Sequence, residues 1–234
     1  MSWWQRLFGK TPQLNAELRD RIAICSGFSE PDFAQHLDSM RFVVVDVETT
    51  GLHPHRDRLI SIGAVPVQDQ LVHLGAGFEV VLRQDRPSAN ENILIHGIDG
   101  TTQTTGRDAA VALVEFMEYA RMDLLVGFHA GFDRIMIARA MKTVLGIGLR
   151  NTWLDLAILT PELVERVTAN ESTLDGWTQR FGIENPARHN AVADAFVTAQ
   201  LLQVTLGAAK ARGLSTAAEL VAIEKAGRWL HTGR

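Results

Sequence analysis

The amino-acid sequence predicts a domain of the α/β class, in which helices pack against a central sheet. Apolar, strand-like runs come first, and helical and strand-like patterns then alternate as far as residue 206. This order is typical of layered α/β proteins. The chain has 234 residues, 46% of them hydrophobic and 21% charged, so it is long enough and apolar enough to bury a sizeable core.

Charge and cysteine content narrow the classes of function. The 23 basic and 27 acidic residues give a formal charge of −4, which excludes a protein that coats nucleic acid or anionic membrane through bulk charge but leaves a local basic patch open. The single cysteine, Cys25, excludes an intrachain disulfide and a thiolate zinc cluster and favours a reducing compartment. No apolar run approaches the ~20 residues of a membrane span, and the first ten residues lack a secretory pattern. We therefore expect a cytoplasmic protein without a membrane span.

Residues 1–40 predict a helical extension ahead of the main domain. Apolar residues at three- and four-residue intervals predict one buried helical face, namely Leu14, Leu18, Ile22 and Cys25. A second short helix is expected from Pro31, with Phe33 and Leu37 on its buried side. The aromatic segment around Trp3 and Trp4 is expected to fold back on the domain. A partner-docking peptide and a weak membrane-surface contact are the alternatives.

The central strands are predicted next. Residues 42–48 form a β-branched run that predicts a strand, and the turn sequence at residues 49–52 ends it. Residues 59–67 and 71–82 predict two more strands, which the short connection at Asp69 and Gln70 makes antiparallel. Residues 90–106 are rich in turn formers.

The rest of the chain predicts alternating helices and short strands. The strands are expected at residues 124–128 and 152–155, and the helices at residues 109–119, 131–145, 173–181 and 191–206. Gly182 is expected to close the third of these helices. Thr160 and Pro161 predict the N-cap and first turn of another helix. The capping-box pair Thr216 and Glu219 predicts a last helix that ends near residue 230.

Four carboxylates stand where folding alone does not require them. Asp46 and Glu48 lie inside the most apolar strand, and their spacing of two places both side chains on one face of the sheet. Adjacent buried carboxylates repel and need a cation, which is either an arginine or lysine of a neighbouring element or a metal ion. Asp133 and Asp194 are each expected in the first turn of a helix, where the helix dipole alone would favour an acid. His189 precedes Asp194 by five residues.

Together these residues have the chemistry of a divalent-metal site. Ligands that are all oxygen suit Mg²⁺ or Mn²⁺. Two such ions a few Å apart support phosphodiester displacement, in which one activates the attacking water and the other stabilises the leaving oxygen. A histidine with a near-neutral pKa can accept the proton of that water.

The sequence resembles the DnaQ-like, or DEDDh, superfamily of 3′–5′ exonucleases, which includes the proofreading epsilon subunit of bacterial DNA polymerase III and ribonuclease T. The first motif matches as VDVETTGL at residues 45–52, the second as HAGFD at 129–133 and the third as HNAVAD at 189–194. The resemblance covers residues 41–208. It implies a ribonuclease H-like fold with a central mixed five-stranded sheet flanked by helices, between helical extensions at residues 1–40 and 209–234.

The resemblance also implies roles for individual residues. Asp46, Glu48 and Asp194 would ligate one divalent cation, Asp46 and Asp133 would hold a second one directly or through water, and His189 would be the general base. The residues expected to contact the substrate are Thr49, Gly51, Leu52, His129 and Phe132. Many relatives begin the second motif with His-Asn where this chain has Phe128 and His129, so His129 is expected to orient Asp133 or to contact substrate. Asp155 matches a carboxylate common in relatives and is expected to have a supporting role.

The activity that the resemblance implies is hydrolysis of the terminal phosphodiester of single-stranded nucleic acid, with two Mg²⁺ or Mn²⁺ ions, to nucleoside 5′-monophosphates. DNA is favoured, and RNA stays open because nothing in the sequence reads the 2′-OH. A polymerase or another protein is the expected partner of residues 1–40. The alternatives are a non-catalytic module of the same fold that binds a nucleic-acid end or a polymerase, and a phosphoesterase acting on small nucleotides.

Two further groups of residues have a functional and a structural interpretation. The first group is aromatic and either includes a base-stacking wedge or belongs to the core; its members are Phe78, Phe128, Phe132 and Trp177. A phosphate-binding track or a solvated helix surface would explain the basic residues of the tail, Lys210, Arg212, Lys225, Arg228 and Arg234.

Overall fold

A mixed β-sheet forms the centre of the computed structural model, which describes residues 14–164, 173–185 and 187–232. Its strands are β1 (Phe42–Thr49), β2 (Leu59–Gln68), β3 (Leu71–Val72), β4 (Phe78–Val81), β5 (Leu124–Gly127) and β6 (Trp153–Asp155). The order across the sheet is β3-β2-β1-β5-β6, and β4 also pairs with β2. Strand β1 is antiparallel to β2 and parallel to β5, and β5 is parallel to β6.

Nine α-helices are described around this sheet. They are α1 (Ala16–Ser26), α2 (Asn90–His96), α3 (Gly100–Thr105), α4 (Ala109–Ala120), α5 (Gly131–Val144), α6 (Leu156–Leu163), α7 (Leu174–Phe181), α8 (Ala191–Ala211) and α9 (Ala217–Thr232). The predicted arrangement of a mixed sheet flanked by helices is therefore confirmed. The segment around Trp3 and Trp4 lies outside the described residues.

Strand β1 contributes to the core on both faces of the sheet. Val43 and Val45 join the buried side chains of α4 and α5, whereas Phe42 and Val44 join those of α6 and α8. This follows from the two-residue period of a strand, which sends alternate side chains to opposite faces. Asp46 and Glu48 continue the row of Phe42 and Val44, so the face that α8 covers changes from apolar to acidic near the end of β1.

The third predicted strand is divided in two. Strands β3 and β4 are separated by a short 3₁₀-helix, Leu74–Ala76, and both pair with β2. The predicted antiparallel connection is confirmed, because Asp69 and Gln70 adopt the positive φ angles of +52° and +62° that suit a two-residue hairpin turn. The turn-rich residues 90–106 form the two short helices α2 and α3 rather than turns alone.

Two predicted helix starts are wrong. Pro31 begins no helix, and only a 3₁₀-helix, Leu37–Ser39, follows it, although Leu37 is buried as expected. Helix α6 begins at Leu156 rather than at Thr160, because the carboxylate of Asp155 caps it by accepting the amide of Ala157 at 3.1 Å. The hydroxyl of Thr160 is instead buried 3.0 Å from that of Thr205 on α8.

Other predicted helix ends are confirmed. Thr173 caps α7 and Gly182 ends it with a left-handed φ of +64°, and Thr216 and Glu219 form the expected capping box of α9. Helix α1 buries Leu18 and Cys25, as the spacing predicted. Helix α8 runs on to Ala211, through the predicted boundary at residue 208, and the division into extensions and a domain stays a prediction.

The expectation that no apolar run approaches a membrane span is wrong for helix α8, which is long and apolar enough by length and composition, the single such helix among the described residues. In this fold it packs against β1 and β2 and buries ten of its side chains. A core helix of a layered α/β domain has the same composition, so its hydropathy has a structural explanation here.

Gly63 lets the start of α8 approach the sheet next to Asp46. Gly63 is paired with Asp46 across β1 and β2. A Cβ atom at this position would lie 2.1 Å from the backbone carbon of Ala191 and 2.2 Å from the backbone nitrogen of Val192, which backbone atoms cannot accommodate without moving. Glycine is therefore required for helix α8 to begin against β2.

We expect Gly63→Ala to destabilise the protein, because the added methyl group must push α8 away from the sheet. Overpacking of this kind costs about 1–3 kcal/mol, and each kcal/mol lowers the melting temperature of a chain this long by about 2–4 °C. Thermal unfolding followed by circular dichroism measures the change. The control is Gly207→Ala on helix α8, where an added Cβ meets no atom within 4 Å. A Gly63→Ala variant that melts at or above the wild-type temperature would contradict this account.

Candidate active site

All the predicted site residues line one cleft at the carboxyl end of β1. The cleft has a volume of about 570 Å³, and the predicted residues in its wall are Asp46, Glu48, Thr49, Gly51, Leu52, His129, Phe132, Asp133, His189 and Asp194. Residues from β1, the loop after it, α5 and the start of α8 therefore meet, although up to 148 residues separate them in the chain (194 − 46). The wall also contains Val47, Asn92, Ile95, His96 and Phe128.

Three carboxylates converge within this cleft. One oxygen atom from each of Asp46, Glu48 and Asp194 lies within 4.8 Å of the other two. The strand period places the first two side by side, and the close contact of α8 at Gly63 adds the third from the first turn of that helix. Such a set of oxygens is able to hold a hard divalent cation. The roles of the single residues as ligands stay predictions.

The loop before α8 orients the carboxylate of Asp194. The backbone amide of His189 donates to Oδ2 at 2.9 Å, and the side-chain amide of Asn185 donates to Oδ1 at 2.6 Å. His189 adopts a left-handed φ of +61°, which turns the chain back towards Asp194 and leaves its side chain exposed at the cleft. The sequence analysis missed Asn185, because nothing in the spacing of a loop residue nine positions before Asp194 indicates the contact.

Asp133 lies in the first turn of α5 and is only 5% exposed. Its carboxyl group lines the cleft beside the three-carboxylate set. The first turn of α5 therefore adds a fourth acid to the cleft.

Asp155 anchors the loop between β5 and α5. Its Oδ1 accepts the backbone amide of His129 at 2.9 Å while it also caps α6. His129 adopts a left-handed φ of +58° there, and its ring packs edge-on against Phe128. The contact fixes the path of the chain just ahead of Asp133, which is consistent with the supporting role expected for Asp155.

Burial and neighbouring charges raise the pKa of Asp46, Glu48 and Asp133. The pKa of Asp46 is raised well above its usual value, first by burial and then by the charges of Asp133, Asp194 and Glu48. Burial, followed by the charges of Asp194 and Asp133, raises the pKa of Glu48 to about 8. The pKa of Asp133 is raised to about 7, mainly by burial, with a smaller increase from the charge of Asp155 and opposition from the backbone amides of Asp133 and Val47.

No lysine or arginine of the described residues forms an ion pair with any of the four carboxylates. The structural interpretation of these acids as members of protein salt bridges therefore does not apply to the described part of the chain. Crowded acids without a basic partner fit a site for divalent cations, which would remove the repulsion.

The loop after β1 forms the apolar side of the cleft. Thr49 donates its hydroxyl to the carbonyl of Gly51 at 2.7 Å. A Cβ on Gly51 would lie 2.6 Å from Oδ2 of Asp57, so a larger residue there would displace that carboxylate. Asn92 donates to the carbonyl of Thr50 and ties α2 to this loop. Leu52 is 85% exposed, so the loop presents an apolar side chain to whatever enters the cleft.

The aromatic residues divide between the cleft and the core. Phe128 and Phe132 line the cleft. Phe78 stacks on Tyr119 with ring centres 5.0 Å apart, and Trp177 is fully buried and stacks on Phe181 at 6.0 Å. Phe78 and Trp177, which were also predicted candidates for a stacking wedge, therefore belong to the packed interior.

Three of the five basic residues of the tail contact neighbouring protein groups, and Arg234 lies outside the described residues. Lys210 forms an ion pair with Asp38, and Arg228 forms one with Glu224. Arg212 donates to the carbonyl of Glu162. These contacts favour the solvated helix surface over a phosphate-binding track for the described part of the tail.

Comparison with known proteins identifies related sequences. Residues 43–202 match the family model RNase_T, described as Exonuclease. A DNA polymerase III subunit epsilon-like protein of Rhodobacter capsulatus is 34% identical over 196 residues, which are 82% of this chain and 27% of that protein. The DNA polymerase III subunit epsilon of Rickettsia conorii is 25% identical over 175 residues, covering 73% of this chain and 76% of that protein. The chain thus spans only about a quarter of the length of the first relative.

Solved structures share the fold. Escherichia coli exonuclease I in complex with a dT13 oligonucleotide is 19% identical, with a TM-score of 0.61, and the match covers 74% of this chain and 42% of that one. Exonuclease X in complex with 5′ overhanging duplex DNA is 20% identical, with a TM-score of 0.60, over 78% of this chain and 99% of that one. This likeness confirms the predicted fold class.

We expect the metal-free protein to lose stability as the pH rises, because the folded state must then hold charged carboxylates in contact. A group whose pKa is raised on folding binds its proton more tightly in the folded state, so its contribution is present at low pH. For Glu48 that contribution is lost between its unfolded pKa of about 4.3 and its folded pKa of about 8. Glu48→Gln should therefore melt above wild type at the alkaline end of this range.

Thermal unfolding across that pH range in the presence of a chelator measures the difference. Glu91→Gln is the matched control, because Glu91 is exposed on α2, and it should follow the wild-type curve. Identical melting curves for Glu48→Gln and wild type at every pH would show that Glu48 is not under repulsion.

Proposed function

Because the chain belongs to the RNase_T exonuclease family, we propose that it is a metal-dependent 3′–5′ exonuclease that releases nucleoside 5′-monophosphates from single-stranded nucleic acid. The observation that carries the proposal is the group of three carboxylates within 4.8 Å of one another, in a cleft whose four acids have no basic partner among the described residues. Divalent cations held at such a site would stabilise the negative charge that develops on oxygen during phosphodiester hydrolysis.

The roles of the residues follow from their positions. Asp46, Glu48 and Asp194 would hold one Mg²⁺ or Mn²⁺ ion, and Asp46 and Asp133 a second. Such a pair of ions lowers the pKa of water and offsets charge on the departing 3′-oxygen. His189 would accept the proton of the attacking water, since its exposed ring borders the same cleft and its backbone is tied to Asp194.

The other wall of the cleft would receive the terminal nucleoside. The side chains of Leu52, Ile95 and Phe132 line it, and the first two are 85% and 55% exposed. Apolar and aromatic groups at such a position stack on any base, so they bind a strand end without selecting its sequence. The expected substrate contacts of Thr49, Gly51 and His129 belong to the same proposal.

DNA is the favoured substrate class, and RNA remains the second candidate. Support for DNA comes from the dT13 oligonucleotide in the exonuclease I structure and the overhanging duplex in the exonuclease X structure. A polymerase is the proposed protein partner, through residues 1–40, because several relatives are named as DNA polymerase III subunits or PolC-type polymerases. A cytoplasmic location is part of the proposal.

One experiment separates this function from its alternatives. Labelled single-stranded DNA, RNA and dinucleotides are incubated with the protein, with and without Mg²⁺ or Mn²⁺. Stepwise shortening from the 3′ end that needs the metal supports the exonuclease. Binding without cleavage would instead identify a non-catalytic module, and cleavage of dinucleotides alone would identify a phosphoesterase of small nucleotides.

We expect Asp46→Ala and Asp194→Ala to lower the exonuclease rate by about a thousandfold or more, because either change removes a charge from the metal-binding set. The folded state should survive, since removing one carboxylate relieves repulsion. Rates on labelled single-stranded DNA with Mn²⁺ measure the effect. Asp20→Ala on the exposed side of α1 is the control. Full activity in either cleft variant would show that the substituted aspartate is not a required metal ligand.

His189→Ala should lower the turnover rate by about a hundredfold to ten-thousandfold while Mn²⁺ binding is retained, because a proton acceptor is lost and no metal ligand is. Turnover is measured on DNA and metal binding by calorimetry. His55→Ala, an exposed histidine outside the cleft, should behave as wild type. Normal turnover in His189→Ala would assign the base to another group.

A further inference from the structure

A second, smaller lobe adjoins the cleft on the far side of the carboxylates. Its volume is about 270 Å³, and the residues that line it are Asp46, Phe128, His129, Thr173, Leu174, Asp175, Asn185, Arg188, His189 and Asp194. Five residues border both lobes, namely Asp46, Phe128, His129, His189 and Asp194. The reacting centre therefore lies at the junction of two spaces, and a chain cleaved there would extend into both.

The two lobes differ in chemistry. The larger lobe is bordered by exposed apolar side chains, of which Leu52 and Ile95 are the most accessible. The smaller lobe contains Arg188, which is the one lysine or arginine among the described residues that line either lobe. An apolar wall suits a base and a sugar, whereas a guanidinium group suits a phosphate.

Arg188 lies at the smaller lobe, and its bond to Asp175 leaves part of the guanidinium group available to a ligand. A terminal nitrogen of its guanidinium donates to Oδ2 of Asp175 at 2.6 Å, and the two side chains are 58% and 56% exposed. Exposed pairs of this kind contribute little to stability, so the arginine is free to turn towards another anion. The guanidinium has five N–H donors, and the single bond to Asp175 leaves others for an incoming phosphate.

We propose that the smaller lobe binds the penultimate nucleotide of the substrate and that Arg188 contacts the phosphate on the 5′ side of that nucleotide. The inference rests on the proposed function. With the bond to be cleaved at the shared carboxylates, the terminal nucleoside occupies the apolar lobe and the next nucleotide occupies the lobe of Arg188. A phosphate contact carries no base information, so Arg188 recognises a continuing strand of any sequence.

The test uses two DNA oligonucleotides of the same sequence. In one of them a neutral methylphosphonate replaces the phosphate on the 5′ side of the penultimate nucleoside. We expect wild type to lose about tenfold in kcat/KM on the modified strand, the value of one charge-assisted hydrogen bond. Arg188→Ala should lose about tenfold on the ordinary strand and lose nothing further on the modified one. Arg188→Lys, which keeps the charge without the planar fork, should fall between them.

Arg83→Ala is the matched control. Arg83 forms an ion pair of similar exposure with Asp108 at 2.8 Å, and neither residue lines a lobe. This variant should retain the wild-type sensitivity to the modification. If Arg188→Ala retains it as well, Arg188 does not contact that phosphate and the proposal is wrong.

A third substrate separates failure of the subsite from failure of the function. The nitrophenyl ester of thymidine 5′-phosphate has the terminal nucleotide but no penultimate one. We expect Arg188→Ala to lose no more than about twofold on this ester, because the contact is absent from it. An equal loss on ester and oligonucleotide would overturn the subsite and leave the exonuclease intact. A wild-type protein that cleaves neither substrate with Mn²⁺ would overturn both proposals.

Discussion

Repulsion among four carboxylates is the constraint around which the rest of this structure is arranged. Burial raises the pKa of Asp46, Glu48 and Asp133, neighbouring acidic charges raise it further, and no basic side chain of the described residues pairs with them. A fold gains no stability from such a group by itself, since each acid would be easier to bury alone or paired. The arrangement becomes favourable when divalent cations occupy it, so the protein carries a local instability that metal binding relieves.

Different parts of the fold hold these acids together against their repulsion. Strand pairing fixes Asp46, the contact of α8 with Gly63 brings in Asp194, and the first turn of α5 places Asp133 in the same cleft. Asn185 orients the carboxylate of Asp194, and Asp155 anchors the loop that precedes Asp133. These devices use strand pairing, helix packing and amide donors rather than a positive side chain, which leaves the negative charge available to a cation. The cleft is therefore preorganised for a charged ligand.

The two lobes beside the acidic centre present different side chains. One side presents exposed apolar side chains on short, tied loops, and the other presents an arginine shared between an acid and solvent. In the proposed complex, the bases of a nucleic-acid strand would contact the apolar side and its phosphates would contact the arginine. Because such contacts would be made to stacking surfaces and to backbone charge, they would favour a strand end over a particular sequence.

By itself, the sequence determined the fold class, the strand that carries Asp46 and Glu48, and the chemical nature of the site, because hydrophobic periodicity and residue type are local properties. Only the tertiary structure decided the start of α6, the division of the third strand, the contact of Asn185 with Asp194 and the second lobe at Arg188. Those features depend on which distant groups compete for a hydrogen bond or a space. Asp155, rather than Thr160, caps α6. The need for glycine at position 63, opposite Asp46, is evident only once α8 is seen to pack against it.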